Sequence, residues 1–209
     1  MPVNVLRNKI PQQVHSDISG FSPEYAEHWR AWLAAPAPAR PEMFAKILRK
    51  WQAVRPKKIR RLRDDTEAAH VPPFLDDLLG QSEAPIAVLA NLSLLTIARR
   101  TENQKQALSD LWQIFSQLPT EGISSCVGIT KAILLLTDGR IGPAFDSRVR
   151  KELRIAAPTT CAAWLVTLEE IADDIAAFEA AHGSFVSAAP KHFAHLSYGR
   201  LYDMAFGPR

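Results

Sequence analysis

Apolar residues return every three or four positions in segment after segment of this chain, and no stretch alternates apolar with polar residues long enough to argue a strand. Tyr25, Trp29, Trp32 and Leu33 form one such stripe, and Phe44, Ile47, Leu48, Trp51 and Val54 form a second. Leu108, Leu111, Trp112, Phe115 and Leu118 make a third, and Trp164, Leu168, Ile171, Ile175 and Phe178 a fourth. Side chains recurring at that period share one face of a helix, so the pattern predicts an all-α fold. It also assigns the tryptophans to core packing in preference to an exposed stacking wall.

The punctuation residues fit the stripes. Ser22 and Pro23 suit the start of a helix running to Ala35, which the Pro-rich stretch 35–41 then breaks. A second helix begins near Glu42 and ends or kinks at Pro56. Residues 72–79 read as a short helix closed by Gly80, and 85–98 as a central core helix apolar almost all round. Thr101 and Gln104 form a capping-box pattern for a helix that Pro119 stops. A long helix is expected over 160–182 with Gly183 as its stop, and a last one over 190–204.

A chain of 209 residues can bury one sizeable core, and the expectation is a single helical domain over 1–209. No apolar run approaches the roughly 18 residues a membrane span needs, and the first residues lack the apolar core of a signal peptide. A monomeric, cytoplasmic protein that does not engage a membrane is expected. Cys126 and Cys161 are too few for a disulfide framework, a four-thiolate zinc site or an iron–sulfur cluster. Among His70, His182, His192 and His195 the only ligand-like spacing is that of His192 and His195, with no carboxylate or thiol beside them. Neither a metal nor a cofactor is expected.

The net charge is +3, and the basic residues are unevenly placed. Nine lie between Lys46 and Arg63, Lys57, Lys58, Arg60 and Arg61 among them, with no acid until Asp64. Such a run can bind phosphates through local attraction and counterion release, or can form a solvated helix face balanced by acids elsewhere.

The segment 124–154 carries the chemistry. Gly128 reads as a tight turn that starts a short helix over 131–136. A second turn through Asp138, Gly139 and Gly142 leads past Pro143 and an apolar Ala144-Phe145 to Asp146, which stands where an acid caps the helix carrying Arg148, Val149, Arg150 and Leu153. Unpaired amides at such a turn can seat a phosphate, and an acid on an apolar wall beside it can face a developing cation.

Cys126-Val127-Gly128 and the run Ala144-Phe145-Asp146-Ser147-Arg148-Val149-Arg150 resemble the hairpin and the aspartate signature of the helix-hairpin-helix DNA glycosylases. Thr130-Lys131-Ala132, the leucines at 134–136, Pro143 and Phe145-Asp146-Ser147 are also similar to uncharacterised relatives of that superfamily, as are Tyr198, Arg200, Tyr202 and Asp203 near the end. The likeness covers residues 120–154 and implies helices around a central cleft, double-stranded DNA as partner, and Asp146 as the catalytic carboxylate. It implies Gly128, Thr130, Lys131, Arg148 and Arg150 as DNA contacts, joined by Lys57, Lys58 and Arg60 of the basic run.

Several positions depart from the family pattern. Cysteine replaces the first glycine of the hairpin, and an arginine stands where the signature has histidine. Lys131 falls one residue later than the nucleophilic lysine of bifunctional members, a rotation of about 100° on a helix. Lys131 remains a candidate catalytic residue, while its register points to water as nucleophile and thus to a monofunctional enzyme. Two functional readings follow: an N-glycosylase acting on a damaged or mismatched base, and a non-catalytic DNA-binding or protein-interaction module in which Asp146 is only a helix cap.

Overall fold

The computed structural model describes residues 2–65 and 72–209. His70 lies outside the described residues. Ten α-helices occur among those described: α1 Pro11–Ser19, α2 Pro23–Ala34, α3 Arg40–Lys50, α4 Leu75–Val88, α5 Glu102–Ser116, α6 Cys126–Leu136, α7 Ser147–Leu153, α8 Cys161–His182, α9 Phe185–Ala188 and α10 Tyr198–Phe206. Short 3₁₀ turns at Leu6–Asn8, Ala37–Ala39, Pro56–Lys58, Leu94–Arg99 and Lys191–Phe193 connect them. No strand occurs among the described residues; the one extended pairing is an isolated antiparallel bridge between Ile59 and Pro119. The fold is all-α.

The four stripes read from the sequence turn inward except at Leu33, which is exposed at the end of α2. Trp29, Trp32, Phe44, Ile47, Leu48, Trp51, Leu108, Leu111, Phe115, Trp164, Leu168, Ile171, Ile175 and Phe178 are buried in a single apolar cluster, against which half-buried Trp112 also packs. α4 packs on α5, α5 on α6, and α3 on α2, α4 and α6. α8 closes the other side against the 94–99 turn and the 6–8 turn, and α10 lies against α1 and α7. No helix among the described residues is long and apolar enough to cross a membrane.

Two caps formed as the sequence predicts. Thr101 Oγ1 accepts from Gln104 N at 3.2 Å while Gln104 Oε1 accepts from Thr101 N at 3.0 Å. Asp146 Oδ1 accepts from Arg148 N and Val149 N, each at 2.9 Å. Both satisfy amides that a helix start leaves without an intrahelical partner.

Four expectations are corrected. Residues 72–79 and 85–98 are not two helices: α4 runs through Gly80 to Val88 with Pro85 inside it, and 94–99 is a 3₁₀ turn. Packing against α5 overrides the weak helix preference of Gly80, and Arg140 fixes where α4 ends. Its Nη1 donates to the carbonyls of Leu89, Ala90 (2.8 Å) and Leu92 (3.1 Å), a contact made across about fifty residues of chain. α6 begins at Cys126, five residues before the expected start at Lys131, so Gly128 sits inside a helix and the tight turn falls earlier, at Gly122 with φ of 71°. The last helix starts at Tyr198, because Lys191–Phe193 forms a separate turn and Ser197 supplies an extended N-cap.

The N-terminal segment holds an element with no apolar stripe to announce it. Asp174 on α8, fully buried, accepts from the backbone N–H of Val5 (3.1 Å), Leu6 (2.7 Å) and Arg7 (3.1 Å), from Arg7 Nε (2.9 Å) and from the Tyr202 hydroxyl (3.2 Å). One carboxylate thereby pins the 6–8 turn to α8 and α10.

Candidate functional site

α6 and the loop after it place the residues singled out by sequence. Asp138 (φ 47°) and Gly139 (φ 76°) reverse the chain after α6, and a side chain at Gly139 would meet Arg200 Cβ at 2.6 Å and the Trp29 ring at 3.1 Å. Only glycine combines that backbone with that clearance. The loop then returns through Pro143 to Ala144, whose N–H donates to Asp203 Oδ1 at 3.1 Å, and Phe145, whose N–H donates to Thr130 Oγ1 at 2.9 Å. Thr130 Oγ1 itself donates to Cys126 O at 2.6 Å. These bonds tie the strand of chain before Asp146 to α6 on one side and to α10 on the other.

Asp146 is half-buried at the start of α7. Its Oδ1 takes both cap bonds, leaving Oδ2 with no hydrogen-bond partner among the described residues. Lys131 lies behind it, 5% exposed, with Nζ donating to the Trp51 carbonyl and standing 6.0 Å from the centroid of the Tyr25 ring. Burial lowers the Lys131 ammonium below the ordinary lysine range, and the charges of Asp146 and Asp203 oppose that shift.

An ion pair closes the cluster. Arg200 Nη1 bonds Asp203 Oδ2 at 2.6 Å with both side chains inside, and Nη2 donates to the Tyr25 carbonyl at 3.4 Å. The guanidinium lies 4.6 Å from the Trp29 ring, 4.8 Å from Phe21 and 5.7 Å from Trp51. Tyr25 stacks on Trp51 at 5.6 Å, and Trp51 lies parallel to Trp29 at 6.4 Å. Asp203 is pushed up to about 6, because burial and the charge of Asp146 outweigh Arg200, the Ala144 amide and Lys131. Burial likewise lowers Arg200 despite Asp203, and raises the Tyr25 hydroxyl, with Asp146 adding to the rise. Lys131, Arg200 and Asp203 thus share a low-dielectric wall of aromatic rings, and Asp203 feels the charges of Arg200, Asp146 and Lys131.

The remaining candidates divide by burial. Gly128 is inside: a side chain there would meet Ser124 Oγ at 2.1 Å and the Ala53 carbonyl at 2.8 Å, so its role is to let α6 approach the turn after α3. Thr130 and Lys131 are buried too, and their polar atoms are spent on protein groups. Arg148 is exposed and 3.5 Å from Glu152. Arg150 is half-buried and lines a cavity of about 330 Å³ with Ser124, Ser125, Cys126 and Val127 at the start of α6, where Ser125 makes no side-chain cap bond. Burial raises the Cys126 thiol, and the charge of Arg150 opposes the shift.

Lys57 is exposed, Lys58 pairs with Glu121 at 2.6 Å, and Arg60 Nε donates to the Gln117 carbonyl at 2.7 Å. Backbone bonds from Arg60 N to Leu118 O (2.9 Å) and from Thr120 N to Lys58 O (2.5 Å) lay this basic strip along the α5–α6 connection. The structure therefore brings Lys131 and Asp146 into one cluster, and Arg150 to the start of α6, with the strip beside the connection that leads there.

Sequence reasoning undervalued Arg200, Asp203, Tyr25 and Trp51 as parts of this cluster. The signal for the first two was an arginine and an aspartate three apart within an otherwise apolar closing helix, a spacing that puts them on one face. Among the described residues no group of three or more His, Cys, Asp or Glu side chains is placed to hold a metal ion. No protein family, curated protein or solved structure matches the chain significantly.

Proposed function

We propose that the chain binds duplex DNA and hydrolyses the N-glycosidic bond of a damaged or mismatched base, with Asp146 as the catalytic carboxylate. The observation that carries this reading is the placement of Asp146: one oxygen is held by two helix amides, the other has no hydrogen-bond partner among the described residues, and the group lies half-buried beside a wall of charged and aromatic residues. Breaking the bond leaves positive charge on the deoxyribose ring, and a fixed carboxylate in a low-dielectric site stabilises that charge without having to reorganise. Its free oxygen can also orient the attacking water.

Lys131 supports a hydrolytic route. Its ammonium is committed to the Trp51 carbonyl beneath the Tyr25 ring, so it acts as a countercharge to Asp146 and Asp203 and not as a nucleophile. DNA phosphates would meet Arg148, Arg150, the uncapped amides at the start of α6, and the strip of Lys57, Lys58 and Arg60. Gly128 and Thr130 would shape that start from inside.

The test incubates the protein with duplexes carrying alkylated, oxidised, deaminated or mismatched bases and scores free base, abasic sites and strand cleavage separately. Free base and abasic sites without strand cleavage are the expected products. A covalent complex trapped by borohydride through Lys131 contradicts the hydrolytic route. Duplex binding with no base release from any substrate favours the module reading, in which Asp146 does no more than cap α7.

A further inference from the structure

A second cavity, of about 340 Å³, opens between α2 and the chain from Lys191 to α10, and neither Asp146 nor Lys131 lines it. Its walls are mostly apolar, with Leu33, Phe193, Leu196 and Met204 among them. Trp29 and Arg200 also line it, and each carries a buried N–H donor, Trp29 Nε1 and Arg200 Nε, with no acceptor among the described residues. Arg30, His192 and His195, all exposed, complete the lining. None of the described lining residues is acidic.

A buried donor without an acceptor keeps an uncompensated desolvation cost, so two on adjacent side chains are a costly arrangement unless something accepts from them. The volume lies in the range of small-ligand sites, where an apolar lining with a few convergent polar groups is the common pattern. Apolar walls select a hydrocarbon body, and the rings of Trp29 and Phe193 in the lining favour an aromatic one. A basic mouth with no acid selects a negative charge. We propose that this cavity binds a small aromatic carboxylate, its ring against Leu33, Leu196 and Met204 and its carboxylate toward Arg30 and the free donors of Trp29 and Arg200. The cavity shares Trp29 and Arg200 with the wall beneath Asp146, but neither Asp146 nor Lys131 lines it, and ligand binding is read without any DNA substrate.

The probes are 1-naphthoate, its neutral amide, and acetate, titrated calorimetrically into the full chain and followed by the indole N–H signals of the five tryptophans. Trp29→Phe assigns the Trp29 signal. Naphthoate should bind saturably one to one, with the amide weaker by about tenfold or more and acetate without measurable binding. The Trp29 indole signal should move the most. Ala26→Trp, which fills the cavity, should abolish binding; the exposed Arg30→Glu should weaken naphthoate about fivefold or more while leaving the amide unchanged. No saturable naphthoate binding, equal affinity for acid and amide, an unmoved Trp29 signal, or wild-type affinity in Arg30→Glu would each overturn the proposal.

Discussion

Replacing Asp203 by asparagine removes one charge from the buried cluster while keeping an oxygen for the Ala144 amide, which donates to Asp203 Oδ1 at 3.1 Å. In the folded protein Asp203 titrates at about 6 against an ordinary 3.8, chiefly because burial disfavours its charged form. Between those two values the folded protein holds a proton that the unfolded chain has released. Stability therefore falls as pH rises through that window and levels off above it. At about 1.4 kcal/mol per pH unit the full effect is about 3 kcal/mol, of which about 2 kcal/mol falls between about pH 4 and about pH 7. Asparagine does not titrate, so the variant lacks this loss. Urea unfolding of both proteins, followed by tryptophan fluorescence, should show the stability of Asp203→Asn relative to wild type rising by about 2 kcal/mol from about pH 4 to about pH 7. Taking the difference cancels every shared ionisable group that does not interact with Asp203. A difference that stays constant with pH, or falls, refutes the reasoning: Arg200 at 2.6 Å would then hold Asp203 ionised throughout.

Two further outcomes are expected. Asp174→Ala strips the acceptor from three backbone amides, Arg7 and the Tyr202 hydroxyl, and should cost about 3–5 kcal/mol in thermal unfolding; a change below about 1 kcal/mol contradicts the pinning role given to it. Reversing charge at Lys57, Lys58 and Arg60 together should weaken duplex binding and flatten its salt dependence by about three in the log–log slope, and unchanged binding assigns the strip to solvent.

The helical stripes were legible because burial of one face is a local, periodic property. The Thr101 and Asp146 caps were legible for a similar reason, since donor and acceptor lie within three residues of each other. What could not be read depends on partners far apart in sequence. Arg140 ends α4 by reaching the carbonyls of 89–92, and local signals at Gly80 and Pro85 gave a false break instead. The closeness of Gly128 to Ala53, which makes it a packing residue inside α6, required knowing that α3 and α6 meet. In the site, Asp146 and Lys131 stood out within one short segment. Tyr25, Trp51, Arg200 and Asp203 come from three other helices or their ends; the first two looked like core, and the last two carried only a likeness near the end of the chain, until the fold drew them together.

Asp146→Asn tests the central claim most directly. The substitution preserves an oxygen for the Arg148 and Val149 amides, so the cap and the fold should persist, and duplex affinity should stay within about threefold of wild type. What disappears is the negative charge proposed to face the sugar cation, a term whose loss typically lowers turnover by a hundredfold or more, roughly 3 kcal/mol of barrier. Free-base release is measured for both proteins on the duplex the wild type processes best, in single turnover. Release by wild type with at least about a hundredfold loss in Asp146→Asn is the predicted result, and release by the variant at the wild-type rate would contradict it.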